Sequence, residues 1–135
     1  MKALMVFTAG VLFVCMAHVV VGERPEKERG QELAALEQKL LGVWKGQTGC
    51  AGNFRFRADG SYELTEYGPG AGDSAGSWKV RWDALPPTLV LTCKTSGNPE
   101  EVGKTTEAKL IQLDQKSLGV KHANPDDDRY ARVKD

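Results

Sequence analysis

His122 and the acidic run Asp126-Asp127-Asp128 are the densest set of side chains able to move a proton. A general base must sit within reach of the proton it takes, and an acid beside it can orient the ring. His122 and these acids share one polar stretch near the end of the chain. No Gly-X-Ser-X-Gly elbow and no Cys/His spacing supplies a nucleophile to go with them. The three aspartates could also offer oxygen ligands to a hard cation, but the spacing is not that of a calcium loop. They read as a solvated acidic turn, and His122 as a rim residue. Gly68-Pro69-Gly70-Ala71-Gly72 lacks the Lys-Ser/Thr of a phosphate loop and precedes a strand pattern, not a helix. It reads as a rim loop.

Cys50 and Cys93 are the two cysteines left once an export segment is removed. An even count in an oxidising compartment predicts one disulfide. Their spacing fits no zinc motif, and no metal or other cofactor is expected.

The export segment is residues 1–22. Lys2 precedes an apolar run interrupted only by Thr8 and His18, with small residues towards its end. This is the pattern of a cleaved secretory signal and places the protein outside the cytoplasm, secreted or periplasmic. The alternative is an uncleaved anchor, since about 20 apolar residues span a bilayer. Val14 before Cys15 is a poor fit to a lipobox, so lipidation is not expected. Basic and acidic residues number 18 each, so no field gathers nucleic acid or anionic lipid. No nucleic-acid partner and, after cleavage, no membrane is expected.

Residues 23–42 form a charged leader and an amphipathic helix. Leu33, Leu36, Leu40 and Leu41 draw one stripe over residues 31–41, and Gly42 stops it. From Val43 the period switches to two. Strands are predicted at about 43–49, 53–58, 61–67, 76–83, 88–94, 102–113, 117–122 and 128–133. Asp59-Gly60 predicts a type I′ hairpin turn. Pro86-Pro87 breaks the chain, because proline cannot donate to a ladder. Fifteen glycines suit a turn-rich β protein.

Residues 43–135 therefore predict an all-β domain, an antiparallel up-and-down barrel of about eight strands preceded by one short helix. Alternate connections fall at the same end. Asp59-Gly60, residues 83–87 and 114–116 share one end and are short. Residues 50–52, 68–75, 95–101 and 122–127 share the other, and three of these are long. An open mouth is expected at the long-loop end. Cys50 and Cys93 both fall at that mouth, but on opposite strands. Their bond would require a flattened barrel or a loop folded across the opening.

By parity, Trp44, Phe54, Phe56, Tyr62, Leu64, Trp78, Trp82 and Leu91 face inward. In a barrel that face is both core and lumen wall, so these are the candidate ligand contacts. Arg55, Arg57, Lys79 and Arg81 form an outward basic stripe, with Glu63 placed to pair with them.

Leu41-Gly42-Val43-Trp44 resembles the helix-then-Gly-X-Trp opening of lipocalin-like proteins. Phe56-Arg57-Ala58-Asp59-Gly60-Ser61-Tyr62, Gly76-Ser77-Trp78-Lys79-Val80, Leu89-Val90-Leu91-Thr92 and Tyr130-Ala131-Arg132-Val133 resemble small bacterial secreted lipocalin-like domains. The resemblance covers residues 41–133. It implies a barrel with Trp44 at its closed base, Arg132 over the indole ring, and small-molecule binding. The expected function is a non-enzymatic binding protein for a small apolar or amphipathic ligand. The alternative is a structural or protein-interaction module whose lumen is filled by its own side chains.

Overall fold

The structure, a computed structural model, describes residues 25–49, 51–66, 72–123 and 127–134. The predicted signal at 1–22 lies outside them. No helix among the described residues is long and apolar enough to cross a membrane.

Helix α1 spans Glu26–Leu40 and starts earlier than the leucine stripe suggests. Pro25 stands before it with φ −52, close to a helical value, and Glu26 and Glu28 in the first turn face the positive end of the helix dipole. Leu40 is buried; Leu33 and Leu36 are half-buried. Leu41 is already extended and Gly42 takes φ +113, which turns the chain into the sheet.

Eight strands follow: β1 Gly42–Gly46, β2 Asn53–Phe56, β3 Ser61–Thr65, β4 Ser74–Arg81, β5 Thr88–Ser96, β6 Thr105–Leu113, β7 Ser117–Lys121 and β8 Asp127–Arg132. Each pairs antiparallel with the next, and β8 returns to β1 through Trp44↔Arg132, Lys45↔Ala131 and Gly46↔Tyr130. The sheet is a closed up-and-down barrel, which leaves no unpaired edge. Residues 99–101, inside the predicted 95–101 loop, form a 3₁₀ turn whose Glu100 N–H is accepted by Asn98 Oδ1, and β6 starts at Thr105 rather than at about 102.

The base of the barrel is packed solid. Trp44, Phe56, Leu40, Leu89, Leu118 and Val120 are almost wholly buried. Trp44 Nε1 donates to Leu40 O at 2.8 Å. The Arg132 guanidinium lies 4.2 Å over the Trp44 ring, a cation–π contact. It also donates to Leu41 O at 2.6 Å, to Gln115 O at 2.7 Å and to Lys39 O. One side chain thus ties the helix end and the β6–β7 turn to the first strand.

The short turns at the base are held by carboxylates. Asp59 Oδ1 accepts from Ser61 N and Oγ, at 2.8 and 2.6 Å. Only Gly60 of this pair has positive φ, so the turn is not the expected type I′, which needs two such residues. Asp114 Oδ1 accepts from the backbone N–H of Lys116 and of Ser117, both at 2.8 Å. The Ser61 hydrogen bonds lower the Asp59 pKa below its ordinary 3.8, and those from Lys116, Gln112 and Ser117 lower that of Asp114. A depressed carboxylate stabilises the fold above its unfolded pKa, and the gain is lost as pH falls through the folded value. Thermal melts of the Asp59→Ala/Asp114→Ala double variant should show a lower Tm at pH 7. The difference from wild type should shrink as pH drops below 3.8. A difference independent of pH would exclude the carboxylate charge as its source.

On the outer face the basic stripe is broken up by acids. Arg57 pairs with Glu63 at 2.9 Å and Arg81 with Glu107 at 2.7 Å. Both pairs are half-exposed, where such bridges contribute little.

Candidate functional site

At the long-loop end the packed interior gives way to a cavity of ≈ 370 Å³. Its floor is apolar: Phe54, Tyr62, Leu64, Leu91 and Tyr130. Phe54 meets Tyr130 edge-on at 5.4 Å and Tyr62 at 6.1 Å. Tyr130 OH donates to Ala51 O at 3.2 Å, which fixes that ring against the β1–β2 connection. The collar above is polar and half-buried or exposed: Ser96, Asn98, Glu101, Thr106, His122 and Asp128.

Strand parity builds this arrangement. Phe54 and Phe56 alternate with outward Arg55, and Tyr62 and Leu64 with outward Glu63. A bulge between Ala75 and Gly76 shifts the β4–β5 register, so Ser74 pairs with Ser96 while Gly76 pairs with Cys93. Strands β4 and β5 touch there: a Cβ on Gly76 would stand 1.9 Å from Thr92 O. Ser74 and Cys93 flank the Tyr62 hydroxyl. Burial raises the Tyr62 pKa above 10.0, and the Cys93 sulfur adds to the rise. A group held neutral in this way stabilises the fold below its unfolded pKa, and that stability is lost as pH rises through the higher folded value. Absorbance titration near 295 nm should show a phenol ionising above pH 10.0 in wild type and missing in Tyr62→Phe. A Tyr62→Phe curve identical to wild type would contradict it.

Cys93 carries a free thiol rather than half of the expected Cys50–Cys93 disulfide, and its Sγ donates to Thr95 O at 3.3 Å. Cys50 itself lies outside the described residues.

Of the eight candidate lumen residues, Phe54, Tyr62, Leu64 and Leu91 come together on the cavity wall. Trp44 and Phe56 sit in the packed base. Trp78 meets Phe56 edge-on at 5.7 Å and donates to Arg57 O at 3.1 Å. Trp82 lies beyond the end of β4 and donates from Nε1 to Glu37 Oε1 of α1 at 3.1 Å, so it joins the helix to the barrel.

His122 follows β7 and Asp128 lies on β8, and their side chains meet at the mouth with Nε2 and Oδ2 3.1 Å apart. Asp126 lies outside the described residues. Asp127 points outward towards Lys121 and Arg129. Among the described residues, no three His, Cys, Asp or Glu side chains converge on a metal position. Sequence reading missed Tyr130, Glu101 and Asn98 as wall residues. Tyr130 was within reach, since it shares parity with Arg132.

The fold and site together define a class: a closed eight-stranded up-and-down barrel with a packed base and one cavity at its long-loop mouth. No protein-family model matches the chain, and neither a curated protein nor a solved structure matches it.

Proposed function

We propose that this chain is a non-enzymatic, lipocalin-like binding protein for a small molecule. It acts outside the cytoplasm after residues 1–22 are removed. The observation that carries this reading is the cavity of ≈ 370 Å³ with an aromatic floor and a polar collar. Its size falls within the ~300–1,000 Å³ of ligand sites, which are mostly apolar with a few polar groups that fix orientation. The packed base leaves the long-loop end as the entrance to this cavity.

Native mass spectrometry of protein exported into an oxidising compartment tests the reading. The expected spectrum has a polypeptide lacking residues 1–22 and a reproducible extra mass that is lost on denaturation. A bare polypeptide with no shift against a metabolite pool would favour an interaction module. The almost fully exposed Leu85 at the base is the feature such a module would use. Leu64→Trp should separate the two readings. Leu64 is half-buried on the cavity wall, so a larger ring there fills space without entering the packed base. The extra mass should disappear while the thermal midpoint stays within a few degrees. Retention of the ligand by Leu64→Trp would place its site elsewhere.

A further inference from the structure

The charges around the mouth point to a ligand class, an inference that rests on the binding reading above. Among the described residues, two carboxylates line the cavity, Glu101 and Asp128, and no lysine or arginine does. Glu101 shares its charge with Lys104, whose Nζ lies 3.0 Å from Oε1. Asp128 has no such cation. Its contact among the described residues is His122, and its side chain is 22 % exposed. The mouth therefore holds a fixed, partly desolvated negative charge directly above an aromatic floor. Partial burial strengthens its attraction for a cation relative to water. Ring faces such as those of Phe54, Tyr62 and Tyr130 also favour positive charge.

Size narrows the class further. A cavity of ≈ 370 Å³ lies at the small end of the ~300–1,000 Å³ range of ligand sites. We infer that the mouth selects a small cationic amphiphile: a primary amine on a flat apolar body. The apolar body rests on Phe54 and Leu91, and the ammonium donates to Asp128. His122 is a positioning residue that holds the carboxylate towards the opening. A carboxylate ligand of the same shape would meet like charge and be rejected.

Isothermal titration of the mature protein with three probes of one shape tests this. Tryptamine carries the cation, 3-methylindole is neutral and indole-3-acetate is anionic. Tryptamine should bind about tenfold tighter than 3-methylindole, the worth of one charge-assisted hydrogen bond. Indole-3-acetate should bind weakest. Added salt should weaken tryptamine alone. Asp128→Asn keeps the shape and an acceptor for His122 but removes the charge, so it should abolish the tryptamine preference. Glu101→Gln, at a separate point of the collar, should reduce the preference by less than Asp128→Asn does.

Equal or tighter binding of 3-methylindole or indole-3-acetate would overturn the amine assignment. So would an Asp128→Asn protein that keeps the preference. If 3-methylindole binds wild type and Leu64→Trp abolishes it, the cavity remains a ligand site and only the class is wrong. No heat with any probe, together with a bare mass in the native spectrum, would overturn both readings.

Discussion

Trp44→Ala should remove about 3–5 kcal/mol of folding stability, the usual penalty for truncating a fully buried large aromatic. That is a large share of the ~5–15 kcal/mol available to a domain of this size. Three losses coincide at this position. The indole fills the base of the barrel and is 0 % exposed. Its Nε1–H caps Leu40 O, a helix-terminal carbonyl with no further turn to accept from. Its face carries the Arg132 guanidinium. Urea denaturation gives the stability change. Trp44→Phe separates bulk from the hydrogen bond and should fall between wild type and alanine. A Trp44→Ala protein within 1 kcal/mol of wild type would mean the base is not the anchor of the fold.

Gly76→Ala is expected to be nearly as damaging, although it adds one methyl group. The new Cβ would lie 1.9 Å from Thr92 O and 2.9 Å from Thr92 C. These are backbone atoms of the paired strand, with no flexible side chain to move aside. Relief requires β4 and β5 to part at the bulge. Overpacking usually costs about 1–3 kcal/mol, and this contact belongs at the top of that range or beyond it. Cavity geometry should suffer with stability, because Ser74 and Cys93 on either side of the bulge flank Tyr62. Denaturation and the Tyr62 titration should therefore shift together in this variant. Undiminished stability would show that the two strands are looser here than the register implies.

The strand order and the two ends of the barrel were legible in the sequence because alternation was strong where one face is buried. Phe54/Phe56, Tyr62/Leu64 and Leu89/Leu91 each placed a strand and its inward face. Features that depend on partners rather than period were not legible. The bulge at Gly76 is a relation between two strands, and glycine there reads like any other turn-rich residue. Trp82 continues the alternation of Trp78 and Val80, but β4 ends at Arg81 and the indole turns to the helix. The cysteine count suggested a bond, whereas Cys93 carries a free thiol, because counting cysteines says nothing of their placement. His122 and Asp128 lie close in the sequence, yet what brings them to one cavity is the β7–β8 pairing and shared inward parity.

Closure of the sheet through Trp44↔Arg132 also sets when the protein can become stable. The first strand finds one of its two neighbours only in the last. The other seven pairings join strands adjacent in sequence, so the largest loop-closure cost in the barrel falls on this one. Until β8 is available, β1 and whichever strand has most recently formed both present open edges, the kind that pair with other chains. The cation over Trp44 arrives with the same last strand. Early hairpins can pair as the chain grows, but closing the ring waits for the last strand. Until then the edge of β1 is the surface on which a second copy could pair in place of β8.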